Sequence, residues 1–281
     1  MQVLEKIKDT KDFIRARKQE GKTIGFVPTM GALHEGHLSL MAYANNENDI
    51  VAASVFVNPA QFNNPEDLKK YPRDLKGDLR KMEEKGMDIV FSPSENEMYP
   101  NNEIKKTYDL GHLDKIMEGR YRPGHFNGVA LVVHKLFEII SPHRAYFGQK
   151  DYQQLAVIKR LVEQENLNIE IIGCPIVREP DGLAMSSRNE RLSDEERQVA
   201  PALYLTLKKA FEMKQEKTVD EVKRFVEKKI ANTTGMELEY FEIADSKTLA
   251  PVKEWKQSES PRAFVAAYLG NVRLIDNMAF Y

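Results

Sequence analysis

A doubly wound α/β domain followed by a smaller α+β domain is the fold this sequence predicts, on three observations. Residues 1–175 alternate short apolar runs with amphipathic stretches, the pattern of parallel βα units. From about Val177 the order changes, and two charged helical stretches are followed by two strand-like ones, the grouping of an α+β unit. Between them, Pro175 follows the run Ile171-Ile172-Gly173-Cys174 and marks a break.

Strands are expected at residues 23–27, 50–57, 88–91, 145–147 and 169–172, each an apolar run of strand length. Helices fill the gaps. Residues 37–45 follow the first strand. Residues 66–85 follow the second, with Leu68, Leu75, Leu79 and Met82 near helical spacing. Residues 126–140 precede the fourth strand, and 151–165 follow it, opened by Asp151 as an acidic N-cap. Beyond the break, 194–214 and 219–230 read as helices, and 237–244 and 263–269 as strands. The expected domains are therefore 1–175 and 176–281.

Composition bounds the class. The chain of 281 residues has room for a large domain and a small one. Lys+Arg 41 against Asp+Glu 43 gives a net charge of −2, which argues against a nucleic-acid partner. The single cysteine, Cys174, excludes an internal disulfide and a cysteine-based zinc site, and reads as a buried structural thiol. Glu5, Lys6 and Lys8 make the N-terminus too charged for a secretory signal. No membrane span is expected, since even residues 129–140 carry His134, Lys135 and Glu138. The expectation is a cytoplasmic protein with no membrane partner.

In an open parallel sheet, ligands bind beyond the carboxyl ends of the strands. Three expected strands run straight into polar or small residues. The first leads to Pro28-Thr29-Met30-Gly31 and then His34 and His37. The second leads to Asn58-Pro59-Ala60-Gln61-Phe62-Asn63, and the fourth to Gly148-Gln149-Lys150-Asp151, with Gln153 and Gln154 in the next helical turn. Residues three apart share a helix face, so His34 and His37 can meet one ligand. A helix start offers unpaired N–H groups and a positive dipole end, which suit a phosphate, and Gly36 permits close approach.

Blander readings stand beside these. The histidines could form a metal pair, although in H-E-x-x-H the second His comes one residue later, or lie plainly on a helix surface. Asn58-Pro59 also reads as a turn, Lys150 as a solvated loop lysine, and Gln61 and Gln154 as surface glutamines. Met185-Ser186-Ser187-Arg188-Asn189 sets two hydroxyls beside a guanidinium, either as an anion-binding loop or as the lead-in to a helix.

The pairing of His-x-Gly-His with a later Met-Ser-Ser-Arg resembles the nucleotidylyltransferase superfamily, which includes the class I aminoacyl-tRNA synthetases. Residues 26–37, 55–62, Tyr71-Pro72-Arg73, residues 146–151 and Ser186-Ser187-Arg188-Asn189 are more closely similar to the signature of the pantothenate synthetase (pantoate–β-alanine ligase) family. The similarity runs in order over residues 23–192, with no departure at a motif position.

That resemblance implies a Rossmann-like first domain and a C-terminal lid. It implies that ATP and pantoate form pantoyl adenylate and pyrophosphate, and that β-alanine then displaces AMP to give pantothenate, a coenzyme A precursor. His34 and His37 would contact the ATP phosphates, and Lys150, Ser186, Ser187 and Arg188 would steady the β- and γ-phosphates. Met30, Gly148, Asp151, Val177 and Met185 would bind the nucleotide, Asp151 at the ribose. Gln61 and Gln154 would hold pantoate, and Gln61 would also meet β-alanine. The resemblance further implies Mg²⁺ carried on the ATP phosphates rather than in a protein site, no covalent enzyme intermediate, and a homodimer. A nucleotidylyltransferase acting on a second phosphate fits the Gln61 and Gln154 pair less well, and a tRNA synthetase would need a basic surface.

Overall fold

Residues 1–63, 65–100 and 106–281 are described by the structure, a computed structural model. By their contacts they form two compact units: residues 1–149 with 153–175, and residues 150–152 with 176–281.

In the first unit, six strands form a parallel sheet: β1 Gln2–Leu4, β2 Ile24–Thr29, β3 Ile50–Val55, β4 Ile89–Phe91, β5 Arg144–Gly148 and β6 Glu170–Cys174. Helices α1 Ile7–Gln19, α2 Glu35–Glu47, α3 Pro65–Lys70, α4 Leu75–Glu84, α5 Glu95–Met98, α6 Met117–Tyr121, α7 His125–Ile140 and α8 Tyr152–Gln164 connect them. Ile24, Phe26 and Val27 of β2, Ala52 and Ala53 of β3, and Ile89, Val90 and Phe91 of β4 are all inaccessible. A parallel sheet covered on both faces requires such continuous apolar runs, and these made the strands legible.

The strand order is β1-β4-β3-β2-β5-β6. From β2 the chain steps outward to β3 and β4, then returns through α7 to β5 on the other side of β2. The winding reverses between β2 and β5, and in such sheets the crevice at that switch point takes the ligand. The His34 turn follows β2, and Gly148 ends β5.

Two departures from expectation have local causes. The helix expected over 66–85 is two helices, because Pro72 disfavours helical backbone at Tyr71. Tyr71 instead buries its ring against Phe62, and Asp74 caps α4 by accepting the Gly77 N–H at 3.0 Å. β1, a three-residue edge strand flanked by charges, gave no periodic signal.

The second unit contains α9 Asp194–Val199, α10 Ala202–Met213, α11 Val219–Ala231 and an antiparallel sheet β7-β8-β9 of Met236–Asp245, Pro261–Leu269 and Val272–Ala279. Leu203, Leu207, Val222, Val226 and Ile230 share its core with Ile243, Val265 and Leu274. The helix expected over 194–214 breaks at Pro201, which has no N–H to continue the ladder. The expected pair of strands is three. Gly270-Asn271 is the two-residue turn of a hairpin, with Leu269 paired to Val272 and Gly270 at φ +55°, a signal present in the sequence. Among the described residues, no helix is long and apolar enough to cross a membrane.

Helix α7 is seated on the short turn Pro59–Gln61, at closest approach at Gly128. A Cβ there would collide with the Ala60 carbonyl oxygen and stand 2.7 Å from Gln61 Cα. Gly128→Ala is therefore expected to lower stability by about 1–3 kcal/mol, the usual range for overpacking, in denaturant unfolding. An unchanged midpoint would contradict this contact.

Candidate active site

The turn after β2 is set by a buried carboxylate. Gly31 (φ +81°) and Ala32 (φ +52°) both take left-handed backbone, which glycine adopts freely and alanine only under constraint. Asp78 of α4 supplies that constraint. It is 2% exposed, and its two oxygens accept the Ala32 and Leu33 N–H groups at 2.9 and 2.8 Å. Lys81, one turn further along α4, donates to the Leu33 carbonyl at 2.6 Å. On the other side the Thr29 hydroxyl donates to the Ser54 carbonyl at 2.7 Å and accepts the Gly31 N–H at 3.2 Å.

This turn delivers His34 to the N-cap of α2. His34 Nδ1 accepts the Gly36 N–H at 3.1 Å, and His37 Nδ1 accepts the His34 N–H at 3.4 Å. The pair is a reciprocal capping box in which imidazoles stand where Ser and Glu are usual. The ring centroids lie 4.1 Å apart, so the expected shared face is realised. An imidazole nitrogen that accepts a hydrogen bond carries no proton, so each neutral ring keeps its proton on Nε2. The His37 and Leu38 N–H groups bond the His34 carbonyl at 2.8 and 3.1 Å. Of the helix-start amides expected to face a phosphate, those of Gly36 and His37 are used inside the cap instead, and that of Leu38 makes the first regular helix bond.

A second cluster follows β3. Asn58, read from sequence as a possible plain turn, is fully buried. Its Nδ2 donates to the Gly128 carbonyl at 3.0 Å and to Gln61 Oε1 at 3.1 Å. Its Oδ1 accepts from the Tyr99 hydroxyl at 2.9 Å and the Ala60 N–H at 3.3 Å. A main-chain carbonyl only accepts and an N–H only donates, so these contacts fix the Asn58 amide and, through it, that of Gln61. Gln61 consequently turns Nε2 toward Met30, whose Sδ is 3.0 Å away. His125 holds the Gln61 carbonyl through Nδ1 at 2.7 Å. Burial pushes the Tyr99 hydroxyl well above its ordinary range and keeps it a donor.

At the end of β5, Gly148 has open space where a Cβ would stand. Asp151 does not cap a helix from outside, as expected, but lies within the 3-10 turn Gln149–Asp151 that runs into α8. Gln153 is turned inward. Its Nε2 donates to the Leu113 and Ile116 carbonyls at 2.7 and 3.0 Å, and its Oε1 accepts the Glu118 N–H at 3.0 Å. Gln154 is half-buried. Cys174 is buried, and burial, with Glu47 nearby, pushes its thiol up to about 11, so it stays protonated.

The second unit holds the remaining candidates. The Lys150 side chain is only 18% exposed, unlike a solvated loop lysine, and its Nζ lies 3.6 Å from the Asp151 carboxylate. Val177 and Met185 are joined by a main-chain hydrogen bond of 3.0 Å, and Arg178 and Ala184 by an antiparallel bridge, which makes residues 177–185 a small hairpin. The hairpin leads into the 3-10 helix Ser187–Arg191, capped by Ser186, whose Oγ accepts the Arg188 N–H at 3.2 Å. Ser187 is 7% exposed and Arg188 half-buried. Sequence reasoning missed Asp78, Lys81, Tyr99 and His125. No local pattern marks them: Asp78 lies 45 residues from Leu33, and Tyr99 lies 41 from Asn58.

The family model described as Pantoate-beta-alanine ligase matches residues 2–279. The chain belongs to this family. A curated pantothenate synthetase of Bacteroides fragilis is 50% identical over 280 residues, covering 100% of this chain and 99% of the relative. That of Thermotoga petrophila is 49% identical over 279 residues, covering 99% of both. The crystal structure of pantothenate synthetase from Thermus thermophilus superposes with a TM-score of 0.94 at 42% identity over the whole of both chains. The pantoate-beta-alanine ligase of Francisella tularensis, complexed with Beta-gamma ATP and Beta-alanine, gives a TM-score of 0.79 at 38% identity, covering 99% of this chain and 97% of that one. The doubly wound sheet with its small antiparallel companion is thus the architecture of the ligase family.

The Asp78 clamp has a direct test. Asp78→Asn turns one acceptor into an NH₂ facing a main-chain N–H, at an expected cost of about 1–3 kcal/mol. Hydrogen exchange at Ala32 and Leu33 should accelerate in that variant. Unchanged protection at both amides would contradict the clamp.

Proposed function

We propose that this chain condenses pantoate with β-alanine at the expense of ATP, by way of pantoyl adenylate. The family supports the activity, and one observation carries the assignment of its centre. Two imidazoles close the start of α2 with their ring centroids 4.1 Å apart, on the turn that follows β2 at the switch point of the sheet.

In this reading the pantoate carboxylate attacks the α-phosphorus in line and pyrophosphate leaves. The amine of β-alanine then attacks the acyl carbon, loses a proton and expels AMP. Negative charge builds on phosphate oxygens in the first step, where preorganised donors and cations act most strongly. His34 and His37 donate to the phosphates through Nε2–H. Lys150, Ser187 and Arg188 steady the departing pyrophosphate together with Ser186, whose hydroxyl accepts from Arg188 N and so has its own proton to give. Met30, Gly148, Asp151, Val177 and Met185 bind the nucleotide, Asp151 at the ribose. Gln61 and Gln154 hold pantoate, and Gln61 also meets β-alanine. With its Oε1 committed to Asn58, Gln61 offers Nε2 as a donor, which suits a carboxylate or hydroxyl oxygen. The substrate supplies the nucleophile, so the protein contributes positioning and electrostatics without a covalent intermediate.

Among the described residues, no group of three or more His, Cys, Asp or Glu is gathered to hold a metal ion. On the family resemblance, Mg²⁺ is proposed to enter on the ATP phosphates, as is usual for that ion, where it would neutralise phosphate charge. The domain of residues 176–281 is proposed as a lid, and the working form as a homodimer, both on the family resemblance. A cytoplasmic setting fits the single buried thiol.

The test is exchange of labelled pyrophosphate into ATP with β-alanine absent. Exchange should require pantoate, and His37→Ala should slow it about 10²–10³-fold, as removal of an oxyanion donor does elsewhere. Exchange without pantoate, or full exchange in His37→Ala, would sink the assignment.

A further inference from the structure

Two neighbouring side chains on the last strand tie together pieces of the second unit that are far apart in sequence. Asn277 of β9 is 2% exposed. Its Nδ2 donates to the Lys150 carbonyl at 2.9 Å, and its Oδ1 accepts from Arg262 Nη1 at 2.5 Å. Arg262 of β8 lays its guanidinium over the Tyr152 ring, 4.1 Å from the centroid, and the Tyr152 hydroxyl donates to the Ser246 carbonyl at 3.1 Å. Residues 150–152 are held in this way by main chain, ring and hydroxyl together.

Asp276, the preceding residue, holds the other piece. Its carboxylate takes Arg178 in a two-pronged pair at 2.7 and 2.9 Å. Arg178 also donates to the Gly182 carbonyl at 3.0 Å and stacks on Tyr204 at 4.2 Å. Gly182, at φ +96°, forms the bend of the hairpin that leads into Ser186, Ser187 and Arg188. A planar guanidinium with two partners on one carboxylate and a third on the hairpin fixes direction as well as distance. Burial pushes the Asp276 carboxyl above its ordinary range, and Arg178 opposes this most strongly, with Lys150 also adding to the opposition.

From these contacts we infer that Asp276 and Asn277 are positioning residues for ATP. Asn277 sets Lys150 through its carbonyl, and Asp276 sets the hairpin that carries Ser186, Ser187 and Arg188. The inference rests on the proposed assignment of Lys150 and that hairpin to the triphosphate. A lysine is a point charge on a flexible four-carbon stem, so its aim depends on where its main chain is anchored. One dipeptide therefore fixes two cationic elements relative to each other, although it touches no phosphate itself.

Asn277→Asp keeps an acceptor for Arg262 but places an oxygen opposite the Lys150 carbonyl. Binding of a non-hydrolysable ATP analogue is measured by calorimetry in Asn277→Asp, Lys150→Ala and the double variant, with thermal unfolding alongside. Asn277→Ala substitutes if the carboxylate prevents folding. Asn277→Asp should weaken binding about tenfold, the effect of one misdirected hydrogen bond at a charged group. In the Lys150→Ala background the further loss should be about twofold or less, because coupled residues are not additive. Asp276→Asn should behave in the same way against Arg188→Ala. Wild-type affinity in Asn277→Asp, or an equal loss in both backgrounds, would make Asn277 a purely structural residue and overturn the inference. Wild-type affinity in Lys150→Ala would instead remove Lys150 from the ATP site, which is failure of the functional reading itself.

Discussion

An α-helix begins with main-chain N–H groups that have no partner inside the helix, and at a ligand-binding edge they must be satisfied without closing the site. Here two histidines meet that constraint for α2. Each uses Nδ1 for the cap, so the ring is oriented by the same bond that stabilises the helix. The main-chain N–H groups at this helix start are thus met by side-chain nitrogens as well as by the His34 carbonyl. The cap in turn depends on the turn before it, where Asp78 and Lys81 of α4 hold Ala32 and Leu33 in a backbone that alanine would otherwise avoid.

The same logic recurs around Gln61. An amide can present either its oxygen or its nitrogen to a ligand, and nothing in its covalent structure decides which. Asn58 decides it here, because a carbonyl on one side and an N–H on the other fix its own orientation, and Gly128 lets α7 come close enough to supply that carbonyl. Turning Gln61 over would set two donors face to face in a buried place, which costs about 1–3 kcal/mol. Gln61 is oriented directly by buried Asn58, and the turn that delivers His34 is held by buried Asp78.

Much of this was legible in the chain. The parallel strands announced themselves because both their faces are buried, and Met30, His34, Gln61 and Gly148 follow strand ends where an α/β sheet binds ligands. The orienting residues were not legible. Asp78 looks like one more charged position on an amphipathic helix, and Tyr99 and Asn277 find their partners only through the tertiary fold. Gln153 erred in the opposite direction, since a polar residue beside the site proved to serve the backbone of residues 113–118. Local sequence reports what a residue can offer, and the fold determines which of its atoms remain to offer it.

The central claim is that the cap fixes the proton on Nε2 of both rings. Nitrogen-15 NMR of the neutral imidazoles of His34 and His37 tests it most directly. The account predicts a protonated Nε2 and an unprotonated Nδ1 in each ring. A proton on Nδ1 of either ring would contradict it, because that nitrogen could no longer accept the main-chain N–H that closes the helix.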